Sequence, residues 1–158
     1  MNIKVFLIFV LLVAFLVYWL LPKSKWARRL KMSESLFYGM NIIGVVSGVI
    51  GLIASLTWTQ AILTHHYFEF ILLPVLVVYL YSGILKKVKN EEIYDEKQIH
   101  DMTHAAAIAG QGSSLMILML YALYKANILQ GLVWFPIYIF FTLAVYSASA
   151  LFYFRKTC

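Results

Sequence analysis

Four titratable side chains recur at intervals of four residues in the polar segment before the fourth apolar stretch of the chain: Glu92, Glu96, His100 and His104. Residues four apart lie on one face of a helix, so His100 and His104 can bind one divalent metal ion, with Glu96 as a third ligand. The same spacing is also typical of a solvated helix beside a membrane. Two or three ligands from one exposed helix leave the remaining coordination positions to water, so we expect no tightly bound metal and no cofactor.

A second polar group, His65, His66 and Glu69, stands at the start of the third apolar stretch. Both histidines come three or four residues before Glu69, so on a helix they lie close to its carboxylate and form a possible site for an ion or a proton. The same residues also suit the polar surface of a membrane. Gln111, inside the fourth apolar stretch, is a further candidate for a polar path because its amide needs a partner there.

The elements that position these residues are apolar helices. Of the 158 residues, 63% are apolar and 13% are charged, whereas a soluble domain has about half and a quarter. Each of five stretches is long enough to cross a membrane, and together they predict an all-α, polytopic membrane helix bundle forming a single domain over 1–158. The predicted spans are 3–21, 36–59, 67–85, 105–124 and 132–154.

The basic residues predict the orientation of these five spans. If every span crosses the bilayer, 11 of the 13 lysines and arginines fall on one side, which is then the cytoplasmic side. The amino terminus is therefore expected outside and the carboxyl terminus inside. The first span also resembles a signal peptide, but its apolar run is long and no small-x-small cleavage site follows, so we expect it to be retained. The net charge of +6 thus reflects orientation in a lipid bilayer and predicts no nucleic-acid partner.

Cysteine labelling tests this topology. A cysteine introduced as Gln130→Cys should react with a membrane-impermeant maleimide from the outside, and Asn90→Cys should react only from the inside, because the two positions lie in loops on opposite sides. The reverse pattern, or a total of four crossings, would contradict the five-span topology.

The second span carries small and polar residues on one helical stripe, spaced by three and four positions: Asn41, Gly44, Gly48, Gly51 and Ser55. Lipid tails provide no hydrophobic drive between helices, so such a stripe indicates close backbone packing. Ala106, Gly110 and Ser114 form a comparable stripe in the fourth span. We expect the two stripes to pack against each other, with Asn41 as a partner for Gln111; a seam between protomers or partner subunits is the alternative.

The chain lacks the motifs of several common classes of enzyme. It contains no phosphate-binding loop and no GxGxxG motif, and its single cysteine, Cys158, excludes an intrachain disulfide. The two histidine pairs lie on opposite sides of the predicted membrane, too far apart to ligate one haem. No pair of buried acid and base is visible for hydrolysis inside the membrane, so we expect no enzymatic activity.

Three functions remain compatible with this sequence. The first is an accessory or interaction subunit of a membrane complex, because nearly all of the chain forms spans with small-residue stripes. The alternative is a small oligomeric transporter or channel component with a polar path near Glu69 and Gln111. The third is a metal-dependent membrane enzyme or sensor that uses the His/Glu stripe. The expected partners are the lipid bilayer and a protein subunit or further copies of the chain, and the expected location is a bacterial or archaeal cell membrane.

Overall fold

The computed structural model describes residues 3–20, 33–64, 67–89, 94, 96–129 and 131–156. The described residues are almost entirely helical, with one 3₁₀ turn at Gly131–Val133. The helices are α1 (Ile3–Leu20), α2 (Glu34–Thr57), α3 (Thr59–Thr64), α4 (Tyr67–Lys89), α5 (Glu96–Lys125) and α6 (Trp134–Lys156).

The predicted membrane helix bundle is confirmed. Four helical segments are long and apolar enough to cross a membrane: Glu34–Thr57, Tyr67–Leu85, Glu96–Lys125 and Gly131–Arg155. Helix α1 has 18 residues and is about 27 Å long, close to the thickness of the hydrocarbon layer. Its crossing of the membrane, and the orientation of the bundle, stay predictions.

Local sequence signals explain where several helices begin and end. Ser33 caps α2, because its hydroxyl accepts a hydrogen bond of 3.2 Å from the backbone N–H of Leu36. Helix α5 starts nine residues before the predicted span, since the polar segment that carries the histidines continues the helix into it. Its end is a turn in which Asn127 has a positive φ of 56°, a conformation that asparagine tolerates better than most residues.

Helix α6 lies at the centre of the bundle, and the small-residue stripe of α2 packs against it. Gly48 faces the backbone of Ala144, and Gly44 and Gly51 face Ser147 and Phe140. The predicted residues Asn41, Gly44, Gly48, Gly51 and Ser55 are all buried. This stripe therefore allows two transmembrane backbones to approach more closely than larger side chains would permit.

This packing corrects the expectation that the small-residue stripe of α2 packs against the fourth span. Both α2 and α5 pack extensively on α6, and α2 makes its second contact with α4. The physical reason is that α6 also carries small residues at helical spacing, with Ala144, Ser147 and Ala150 on the side that faces the bundle. A stripe of small residues packs against the neighbouring helix whose own small residues allow the two backbones to approach closely.

Helix α1 lies at the periphery and contacts α4. Tyr18, near the end of α1, packs beside Gly83, and the Lys87 ammonium lies 5.0 Å from the centroid of the Tyr18 ring. The carboxyl-terminal ends of α1 and α4 thus lie together, as alternating crossings of five spans would require of the first and third spans.

Candidate functional site

Helix α5 joins the bundle through a single stripe that packs against α6. Its buried residues are mostly small or polar: Gln98, Asp101, Ala105, Ala109, Ser113 and Leu120. The hydroxyls of Ser113 and Thr142 share a hydrogen bond of 2.8 Å across the two helices. Since the Thr142 hydroxyl donates to the Tyr138 carbonyl at 2.9 Å, Ser113 is the donor to Thr142. This polar contact is therefore satisfied within the chain.

The other small-residue stripe of α5, Ala106, Gly110 and Ser114, is not buried in the bundle. All three residues are exposed, and a Cβ atom added at Gly110 would meet no described atom within 4 Å. They line one wall of an open groove of ≈ 640 Å³, which has α6 as its floor and Tyr79 of α4 on the opposite side. The expectation that this stripe packs on α2 is corrected, because α5 packs on α6 with the neighbouring stripe instead.

Gln111 is also exposed, and its amide is not paired with Asn41. The Asn41 amide nitrogen donates instead to the Phe37 carbonyl of its own helix at 2.9 Å. Gln111 lies about 10 Å along the helix axis from His104 and about 21 Å from Lys125. In a bilayer crossed by the predicted span 105–124, this exposed amide lies at the depth of the hydrocarbon layer, where no water is present to form hydrogen bonds with it.

One exposed stripe connects Gln111 with the histidines. Five exposed residues of α5 follow one another at spacings of four, three, four and three: His100, His104, Ala107, Gln111 and Ser114. This alternation of three and four is the spacing of a helix–helix seam. We call these five residues the outer stripe of α5. All five stay exposed in the described part of the chain, and α6 reaches only the edge of this stripe, at His104 and Ser114.

The two histidines of the outer stripe are held close together. Their Nε2 atoms lie 3.1 Å apart, and the ring centroids are separated by 4.3 Å. The His104 ring also lies 5.3 Å from the Tyr153 ring of α6, which limits its movement. At this separation one imidazole donates a hydrogen bond to the other, or both nitrogens face a common ligand.

Glu96, the predicted third metal ligand, is exposed on the first turn of α5. It takes no part in the contact between His100 and His104. Among the residues that the structure describes, no group of three His, Cys, Asp or Glu side chains is placed to hold a metal ion. A single chain therefore presents two imidazoles to a metal, with Glu96 outside the pair.

Asp101 lies directly behind the histidine pair and is fully buried. Its Oδ1 atom is 3.7 Å from the Nδ1 atom of His100, and neither carboxylate oxygen has a hydrogen-bond partner among the described residues. Burial of a carboxyl group without hydrogen bonds is unfavourable and therefore rare in membrane bundles. Asp101 was not among the residues predicted for the site, although its spacing of four from Ala105 places it on the buried stripe.

Glu69, the described residue of the second predicted ion site, does not lie close to Gln111. His65 and His66 lie outside the described residues. Glu69 is partly buried in the first turn of α4. Gln111 lies on α5, a helix that does not pack closely against α4. A continuous polar path from Glu69 to Gln111 is not formed by the described residues.

A small cavity of ≈ 120 Å³ lies between α2, α4 and α6 and is bordered by Tyr94, which precedes α5. The Tyr94 ring packs edge-on against Phe37, with centroids 6.2 Å apart. Burial raises the pKa of the Tyr94 hydroxyl above its ordinary value of 10.0, although a hydrogen bond with Ser82 acts in the opposite direction. The hydroxyl therefore stays protonated at physiological pH, and Tyr94 anchors the start of α5 to α2 and α4.

The structure thus identifies one face of α5 as the candidate site: the outer stripe with Asp101 behind it. The histidines and Gln111 were found from their type and spacing, whereas the exposure of this face follows from α6 taking the central position. Comparison with protein-family models, with curated proteins and with solved structures found no match.

Proposed function

We propose that this membrane protein is an interaction subunit of a membrane complex, in which the outer stripe of α5 packs against a transmembrane helix of another chain. The cell membrane of a bacterium or archaeon is the proposed location, and the segregation of basic residues supports a fixed orientation of the protein in a membrane. In this proposal the bundle of α2, α4 and α6 supports α5, which provides the contact surface.

The exposed Gln111 amide is the observation that carries this proposal. An amide without hydrogen bonds in an apolar environment costs about 1–3 kcal/mol. A neighbouring helix that supplies a donor and an acceptor removes this penalty, and interhelical bonds of this type stabilise membrane helix pairs. A lipid chain supplies neither.

The residues around Gln111 fit a helix as the occupant. Ala107 and Ser114, one turn to either side, have small side chains, so a second backbone can approach closely at this level. The seam spacing extends from Ser114 to His100, about 21 Å along the axis. This length matches several turns of a packed helix pair.

Cross-linking inside the membrane tests this surface. Ala107→Cys, in a Cys158→Ser background, is expected to form a cross-linked product with a short bifunctional thiol reagent, because this position lies on the proposed seam. Val77→Cys is the matched control: Val77 is exposed on α4, outside the outer stripe. Equal cross-linking at both positions, or none at Ala107→Cys, would contradict the proposed function.

We expect Gln111→Leu to weaken the association by about 1–2 kcal/mol, since the interhelical amide hydrogen bonds are lost. The measurement is the concentration dependence of association in detergent or lipid. Val77→Ala is the control, because it shortens an exposed side chain that lies on α4, outside the outer stripe. If Gln111→Leu associates as tightly as the unmodified chain, the amide does not face a partner.

A further inference from the structure

We propose that His100 and His104 of two copies of this chain together bind one divalent transition-metal ion, with Zn²⁺ as the best fit, and so join two copies along the outer stripe of α5. This inference rests on the proposed function, because it names the helix that packs on the stripe. It assigns that helix to the α5 of a second copy and adds a metal site that a single chain leaves incomplete.

The spacing of the two imidazoles suits a tetrahedral metal ion. Zinc binds histidine nitrogens at about 2.0–2.1 Å, which places two ligands of a tetrahedral site about 3.3 Å apart. The Nε2 atoms of His100 and His104 are 3.1 Å apart, so a small rotation of either ring lets both bind one ion. A one-turn spacing on a rigid helix holds this geometry without rearrangement of the backbone.

Asp101 stands where a metal-binding histidine usually has its supporting carboxylate. Ligating histidines commonly donate their second ring N–H to a carboxylate, which fixes the tautomer and the ring orientation. The Asp101 Oδ1 atom lies 3.7 Å from the Nδ1 atom of His100, on the ring edge away from His104. A small movement of the ring brings the two atoms within hydrogen-bond distance and leaves Nε2 free to bind the metal. The buried carboxylate then gains a donor that it lacks in this structure.

A second copy supplies the ligands that a single chain lacks. Two copies inserted in the same orientation are related by a twofold axis along the membrane normal, so their α5 helices run parallel. Equivalent residues then meet at the same depth, and two pairs of imidazoles surround one position. Four imidazole ligands in a tetrahedral arrangement favour Zn²⁺ over Mg²⁺ or Ca²⁺, which prefer oxygen ligands.

The remaining residues of the outer stripe of α5 can also pack about this twofold axis. Gln111 of each copy faces Gln111 of the other, and because an amide carries both a donor and an acceptor, the two side chains satisfy each other. Ala107 and Ser114 leave room for the backbones on either side of this pair. An unrelated partner would need a separate complementary residue at every one of these levels.

Metal analysis and cross-linking of the purified chain in lipid nanodiscs test this inference. After loading with Zn²⁺ and removal of the excess, we expect one ion for each pair of chains. Ala107→Cys is expected to give a cross-linked dimer of this chain with Zn²⁺ and much less dimer with a chelator. His100→Ala and His104→Ala should each abolish the bound zinc and the zinc-dependent increase. Glu96→Ala is the matched control and should leave both unchanged, because Glu96 lies outside the histidine pair.

Asp101→Asn provides a second measurement that does not remove a ligand. We expect it to weaken zinc binding about 10- to 100-fold, as is usual for the loss of a carboxylate behind a ligating histidine. A purely structural role of Asp101 would change stability and leave zinc affinity unaltered.

Three results would overturn the inference: zinc that does not bind, zinc that binds equally to His100→Ala, or a ratio of one ion per chain without dimer formation. If Ala107→Cys still cross-links to another chain but independently of zinc, the metal inference fails and the proposed function stands. If Ala107→Cys forms no product with any chain in native membranes or in nanodiscs, the proposed function itself fails.

Discussion

Replacing Gly48 by alanine is expected to destabilise the bundle by about 1–3 kcal/mol, the range for inserting an extra methyl group into a tightly packed interior. A Cβ atom at this position would lie 2.7 Å from the backbone nitrogen and 2.8 Å from the Cβ atom of Ala144. A backbone cannot move aside as the end of a flexible side chain can, so α2 and α6 must separate along the seam. Thermal unfolding in detergent measures the effect.

Gly39→Ala is the matched control, since it makes the same change on the same helix. A Cβ atom at Gly39 would meet no described atom within 4 Å. We expect this variant to be as stable as the unmodified chain or more stable by up to about 1 kcal/mol, because alanine has the higher helix propensity. Equal stabilities of Gly48→Ala and Gly39→Ala would show that α2 and α6 do not pack as closely as the structure has them.

The second large effect that we expect is an increase in stability. In the absence of metal, Asp101→Ala is expected to stabilise the protein by about 1–3 kcal/mol, because it removes two buried oxygens that form no hydrogen bond with any described residue. Alanine also continues the pattern of the buried stripe, in which Ala105 and Ala109 follow at intervals of four residues. Thermal unfolding of the metal-free protein measures this gain.

Ser113→Ala distinguishes this explanation from a general benefit of alanine. Ser113 lies on the same buried stripe, but its hydroxyl is hydrogen-bonded to Thr142 at 2.8 Å. Its replacement should therefore lower the stability by about 1 kcal/mol. If Asp101→Ala and Ser113→Ala change the stability in the same direction, the difference in hydrogen bonding does not determine the outcome.

Hydropathy and spacing predict much of this fold because each acts within one helix. The five apolar stretches correspond to helices whose ends differ from the predicted ones by a few residues, except at the start of α5. The stripe of α2 is likewise recognisable from Gly44, Gly48 and Gly51 alone, because a residue without a side chain inside a membrane helix usually serves close packing.

The partner of each helix is harder to predict because several helices carry small residues. In span five, the small residues Ala144, Ser147 and Ala150 lie among bulky aromatic and aliphatic residues, so hydropathy alone does not mark them as a packing surface. On α5, Ala105 and Ala106 begin two adjacent stripes of small residues, and the structure buries the first while the second remains exposed. Composition does not distinguish them, since the choice depends on the rotation of α5 about its own axis. The same rotation places the histidines and Gln111 on the outside.

The central position of α6 determines how the protein matures in the membrane. Helices α2 and α5 both pack on α6, yet α6 is synthesised after them. During translation, α2 thus enters the bilayer before α6 exists, and its glycine face stays uncovered until α6 leaves the translocation machinery. A ribosome stalled before Trp134 would leave α2 inserted without the helix that covers its glycine face. Such an intermediate exposes polar and small residues to the lipid and is the species most accessible to membrane chaperones and intramembrane proteases.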